Sequence, residues 1–102
     1  MISNVTAAEA ARLRDEGAVI CDIRSPAEYA SEHIDGARNV PLAGIDNAPK
    51  DAGKPLIFCC LSGARTAMAA SRLAEAAGRP AYILDGGLRA WKSAGLPVAR
   101  GR

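Results

Sequence analysis

The stretch Phe58 to Thr66 reads FCCLSGART and holds two adjacent cysteines at two distances from one arginine. From Cys59 to Arg65 the pattern is C-x5-R, the spacing of a cysteine phosphatase, and from Cys60 it is C-x4-R, one residue tighter. A loop that runs straight from a strand into a helix turns its free backbone N–H groups toward one point, and the helix dipole adds positive potential there. A thiol at the base of such a cradle loses its proton more readily and becomes a thiolate nucleophile. Which of Cys59 and Cys60 occupies that base decides the reaction class. Gly63 lets the loop bend at little steric cost. Arg65 either braces loop carbonyls or binds an anionic substrate through its planar fork, and the Ser62 and Thr66 hydroxyls either reach the same centre or cap the helix.

The flanking residues supply the strand and helix that this loop requires. Pro55 to Cys59 is the most apolar strand candidate. Ala64 to Ala77 is an alanine-rich helix whose Met68, Leu73 and Ala76 or Ala77 share an expected buried face, stopped by Gly78. Upstream, Thr6 and Glu9 have the spacing of a capping box for a helix over about Ala7 to Glu16, and Gly17 ends it. The unbroken run Ala18 to Asp22 reads as a strand buried on both faces, which delivers Asp22 and Arg24 at its C-terminal end. Ser25, Pro26 and Glu28 start a second, short helix through Tyr29 and Glu32. Ile34 to Pro41 reads as a turn and brief strand, and Leu42 to Lys54 as loop or a short helical turn. Ala81 to Leu84 is a further strand, followed by Asp85-Gly86-Gly87 and a helix bearing Leu88 and Trp91. Strands alternating with helices predict a parallel sheet of about five strands covered on both faces, an α/β fold with its ligands at the C-terminal strand ends.

Composition narrows the function classes. A chain of 102 residues suits one domain with one core, here expected over about residues 5–98, with 99–102 as a flexible tail. The fractions of 49% apolar and 24% charged residues are those of a soluble globular protein. No apolar run approaches the ~20 residues of a membrane span, and MISNVTAAEA lacks a signal-peptide pattern, so a cytoplasmic setting is expected. Three cysteines, two of them adjacent, make no disulfide framework or zinc site, and no metal is expected. The net charge of +2 is scattered, without a stripe that would track nucleic acid.

The segment Cys60-Leu61-Ser62-Gly63-Ala64-Arg65-Thr66 resembles the C-x-x-G-x-R-[S/T] loop of the rhodanese-like sulfurtransferases. Three more blocks resemble the same family in the same order. These are Asp22-Ile23-Arg24 with Glu28-Tyr29, then Glu32 to Pro41, and Leu84 to Trp91 with Gly95-Leu96-Pro97. The resemblance runs from about Ile20 to Val98 and implies the rhodanese-like fold, with Cys60 as the sulfur-carrying catalytic nucleophile. It also implies that N–H groups of residues 61 to 66, in the loop Leu61, Ser62, Gly63, Ala64, Arg65 and Thr66, hold the persulfide anion. In the other register, Phe58 stands where the phosphatase pattern wants histidine and Ser62 where it wants glycine.

The implied activity is transfer of a sulfane sulfur from a donor such as thiosulfate or a persulfide to cyanide or a thiol, with no cofactor. Leu61 stands where many members carry a polar or basic residue, which favours another persulfide, small or protein-borne, as donor. The alternatives are a phosphatase or arsenate reductase on the same scaffold, and a non-catalytic sulfur-sensing or binding module. Asp22 and Arg24 are expected to pair or to support the loop, and Cys59 to be core or a resolving thiol with a redox role. Cys21, His33 and Trp91 read as structural, and Gly86-Gly87 as a turn before a helix.

Overall fold

Side-chain caps set the first helices, and apolar runs set the central strands. In a computed structural model that describes residues 2–49 and 54–101, the chain opens with β1 (Ile2–Val5) and α1 (Ala7–Asp15). The Thr6 hydroxyl accepts from Glu9 N while Glu9 accepts from Thr6 N, so both expected bonds of the capping box form. Next come β2 (Val19–Asp22) and α2 (Pro26–Ser31), the latter started by the same reciprocal bonds between Ser25 and Glu28. β3 (His33–Ile34), β4 (Arg38–Asn39) and a 3-10 turn (Leu42–Asn47) lead to β5 (Leu56–Cys59). The chain ends through α3 (Ala64–Met68), α4 (Ala70–Ala77), β6 (Ala81–Leu84), α5 (Gly87–Ser93) and β7 (Val98–Ala99).

Five strands form one parallel sheet in the order β1-β6-β5-β2-β4. Because side chains alternate along a strand, β5 sends Leu56 and Phe58 to one face and Ile57 and Cys59 to the other. On the first face they meet Leu73, Ala76 and Ala77 of α4 and Ile45 of the 3-10 turn. On the second they meet Ala7 and Ala10 of α1 and Leu88 and Trp91 of α5. The expected parallel sheet of about five strands with helices on both faces is therefore the fold. Among the described residues, no helix is long and apolar enough to cross a membrane.

The structure departs from the sequence reading at four places. β1 was not expected, since Ser3 and Asn4 are exposed and no apolar pattern marks this edge strand. The single helix over 64–77 is two, divided at Ala69 (φ −98°, ψ 9°). Thr66, Ala69 and Ala70, Leu73, and Ala76 and Ala77 form the buried or half-buried stripe at helical spacing, and Met68, five residues before Leu73, falls outside it and is 90% exposed. The tail is not free: Ala99 pairs antiparallel with His33, and Gly101 N donates to Ala30 O at 2.7 Å. Of the expected loop over Leu42 to Lys54 and of the tail, residues 50–53 and Arg102 lie outside the described residues.

Trp91 is fully buried, and its indole N–H donates to Pro97 O at 2.8 Å, tying the return to β7 against the second face. Trp91→Ala should lower unfolding stability by about 3–5 kcal/mol, read as a lower urea midpoint by circular dichroism. A loss under about 1 kcal/mol would remove Trp91 from the structural core.

Candidate functional site

Cys59 is the last residue of β5, and Cys60 is the first residue beyond it, so the two side chains leave the strand toward opposite faces. Cys60 packs with the α4 cluster and Cys59 with the α1/α5 cluster. Cys59 is wholly buried, and its thiol is pushed well above the ordinary value, by burial first and by the Asp22 carboxylate next. Cys21 is likewise pushed up by burial, to about 12. Cys60 alone meets the loop. Gly63 N donates to its sulfur at 3.2 Å, and Thr66 Oγ1 lies 3.7 Å away. Burial raises the Cys60 pKa. The N–H groups of Thr66, Gly63 and Arg65, with the Thr66 hydroxyl, outweigh it and bring the thiol below its ordinary value.

The cradle depends on which way the loop carbonyls face. Leu88 N donates to Cys60 O at 2.9 Å, and Arg89 N donates to Leu61 O at 3.0 Å. These bonds use orphan donors of the first turn of α5 and turn the loop carbonyls outward, leaving loop N–H groups directed at sulfur. Gly63 takes the left-handed conformation at φ 93°, which permits the turn into α3. Thr66 is fully buried and donates to Gly63 O at 3.0 Å, closing the loop from within. Leu61 packs against the α1/α5 cluster, while Ser62 and Ala64 are exposed.

Gly87, in sequence only part of a turn before a helix, packs directly against the loop. A Cβ there would sit inside the van der Waals envelope of the Cys60 carbonyl oxygen and 2.8 Å from the Leu61 carbonyl carbon. Only the absence of a side chain lets α5 start this close to the loop. Nothing local in the sequence reveals this, because the contact joins residues far apart in the chain.

Among the described residues, the Arg65 side chain hydrogen-bonds to Glu28 and to no loop carbonyl. Its two terminal nitrogens meet the two Glu28 oxygens at 2.9 and 3.0 Å, so the cap of α2 also clamps the loop. The hydrogen bond from Arg65 is the main cause that holds the Glu28 carboxyl at about 2, below the usual 4.5. The depressed folded-state pKa means that this stabilisation is present above pH 4.5 and is lost as pH falls toward about 2. Both side chains are partly exposed, so the contribution is small.

Asp22 and Arg24 form the expected pair, with Arg24 Nε at 2.9 Å and Nη2 at 2.8 Å from the carboxylate. Both are buried, and Arg24 Nη2 also donates to Glu32 O at 2.6 Å. The pair therefore ties the end of β2 to the end of α2, the helix that presents Glu28. Asn39 donates to Asp22 O and Arg24 O and fixes the same turn. His33 is buried, stacked on Tyr29 with ring centroids 3.7 Å apart, and its Nδ1 lies 2.6 Å from Tyr29 O. Among the described residues, no group of three or more potential ligand side chains could hold a metal ion.

A cysteine sulfur held by loop N–H groups at the C-terminal end of a parallel strand defines an α/β domain with an anion cradle built on a thiol. The profile of the rhodanese-like domain family matches residues 6–94, and the chain belongs to that family. It is 36% identical over 87 residues to the thiosulfate sulfurtransferase GlpE of Pseudomonas fluorescens, covering 83% of this chain and 80% of that protein. It is also 41% identical to the HTH-type transcriptional regulator Rv0324 of Mycobacterium tuberculosis, covering 95% of this chain but 45% of the regulator. In the crystal structure of a thiosulfate sulfurtransferase from Pseudomonas aeruginosa, 97% of this chain superposes with a TM-score of 0.85 at 29% identity, over 19% of that chain. The chain spans about half the length, or less, of several relatives it matches. These likenesses support a sulfurtransferase family.

Gly87→Ala should displace the Cys60 and Leu61 carbonyls and turn N–H groups away from sulfur. With fewer N–H groups on sulfur the Cys60 thiol returns toward its ordinary pKa and the thiolate fraction falls, so alkylation of Cys60 by iodoacetamide at neutral pH should slow. Unchanged alkylation in a folded variant would show that α5 does not set the cradle.

Proposed function

We propose that the domain is a sulfurtransferase of the rhodanese type and acts through a persulfide on Cys60. The observation that carries this reading is the thiol of Cys60 set in loop N–H groups that bring it below its ordinary pKa. With thiosulfate as donor, the Cys60 thiolate attacks the outer sulfur, a Cys60 S–S bond forms, and the bond to the sulfonate sulfur breaks, releasing sulfite with its electron pair. The terminal persulfide sulfur remains anionic, and the cradle N–H groups stabilise it. An acceptor thiolate or cyanide then attacks that terminal sulfur, and Cys60 leaves as thiolate. The sequence of steps requires no metal or organic cofactor.

Leu61, apolar and folded against the second cluster, supplies no charge for an anionic donor, which favours a persulfide donor over thiosulfate. The free thiols of Cys21, Cys59 and Cys60 support a reducing, cytoplasmic setting for one domain acting alone or beside others. Deep burial and a raised pKa make Cys59 a poor nucleophile and speak against the wider phosphatase or arsenate reductase register. The likeness to a transcriptional regulator favours one second reading, a sulfur-sensing module that loads Cys60 without turning over.

Intact mass after thiosulfate or persulfide treatment and desalting tests the first step. Wild type and Cys59→Ser should gain one sulfur atom, and Cys60→Ser none. Turnover with cyanide then separates transferase from sensor. Loading through Cys59, or hydrolysis of an aryl phosphate without any sulfur gain, would overturn the proposal.

A further inference from the structure

A groove of about 470 Å³ lies beside the cradle, lined by Leu42, Arg65, Met68, Ala69, Ser71 and Arg72. The lining joins three apolar residues to two arginines and a serine, with no carboxylate among the described lining residues. Arg65 belongs both to this groove and to the loop around Cys60. Leu42 is fixed at the same end of the sheet, because its N–H donates to Ile23 O at 3.0 Å. Groove and nucleophile therefore share one rim of the molecule.

Three features make this surface more than a gap between side chains. Met68 lies off the buried stripe of its helix and is the one large hydrophobic residue exposed among the described residues. Methionine is unbranched and polarisable, so it adapts its shape to an apolar group placed on it. Arg72 is exposed and stands in no ion pair among the described residues, whereas Arg65 is held by Glu28. The unneutralised charge of the rim is thus positive.

Cys60 itself is only 1% exposed. A thiol on the broad face of a folded protein would not reach it, but one on a projecting tail or loop would, with neighbouring residues laid along the rim. The groove is also larger than a thiosulfate ion needs.

We propose that this groove seats the acidic, apolar-tipped segment of a protein that carries the exchanging thiol, and so selects a protein acceptor. The inference rests on the Cys60 persulfide of the preceding section. The apolar side chain of the partner lies against Leu42 and Met68, and its carboxylates face Arg72. The partner's thiolate attacks the outer persulfide sulfur, a new S–S bond forms on the partner, and the electron pair of the broken bond returns to Cys60 as thiolate.

The test uses persulfide-loaded protein and two synthetic peptides, each with one cysteine followed by a leucine and two flanking charges, glutamates in one and lysines in the other. Loss of the sulfur from Cys60 is followed by intact mass. Complementary charge should make transfer to the glutamate peptide about tenfold faster at low salt, and the preference should shrink as salt is added. The Met68→Ser, Arg72→Glu double variant should lose the preference while its transfer to cyanide stays at the wild-type rate. Equal rates with the two peptides, or a preference that survives in the double variant, overturns the groove as docking site while leaving the Cys60 chemistry intact. Failure of wild type to load sulfur overturns both.

Discussion

Everything at this site depends on the direction of two carbonyl groups. The Cys60 and Leu61 oxygens are taken by Leu88 N and Arg89 N, so the loop cannot turn those oxygens toward sulfur without losing both bonds. With the carbonyls withdrawn, the N–H groups of Gly63, Arg65 and Thr66 work on the Cys60 thiol, and together they exceed the cost of its burial. The sheet sets this up from a distance. β5 and β6 are paired neighbours with Phe58 opposite Ile83, which brings the start of α5 beside the end of β5. Glycine at 87 then permits the close approach.

A second support reaches the loop from β2. The Asp22–Arg24 pair is buried and multiply hydrogen-bonded, and removing either partner would leave an uncompensated charge, at a cost of about 3–5 kcal/mol. By binding Glu32 O, Arg24 fixes the end of α2, and α2 presents Glu28 to Arg65. Burial opposes the charge on Arg24, but the bonds and charge of Asp22 prevail and keep it protonated. The two acids therefore differ in kind. Asp22 builds a dry joint between strand and helix, while Glu28 makes a wet clamp on the rim of the cradle.

Much of this was legible in the sequence because local chemistry dictates it. The Thr6 and Ser25 caps formed with the expected partners, and the apolar runs at 19–22, 56–59 and 81–84 became the central strands. Cys60, the cysteine of the tighter spacing, is the one whose sulfur accepts from Gly63 N. What escaped was tertiary or positional. Met68 stands five residues before Leu73, out of phase with the 3.6-residue repeat that buries Thr66, Leu73 and Ala77, so it faces solvent. The two-residue strand β7 carries too little pattern to be read, and is defined by its pairing with β3. Glu28 was legible as a cap but not as the partner of Arg65, thirty-seven residues away. Strand alternation, applied to the adjacent cysteines, separates them onto opposite faces of the sheet.

The loop N–H groups make Cys60 a thiolate more readily than an ordinary cysteine. The direct measurement is a pH titration of thiolate ultraviolet absorbance in the native protein, taken as the difference between wild type and Cys60→Ser. That difference should show one titrating group, with its midpoint below that of a free cysteine. A midpoint at or above the free value would mean that burial outweighs the N–H groups, and the cradle would not be what activates this thiol.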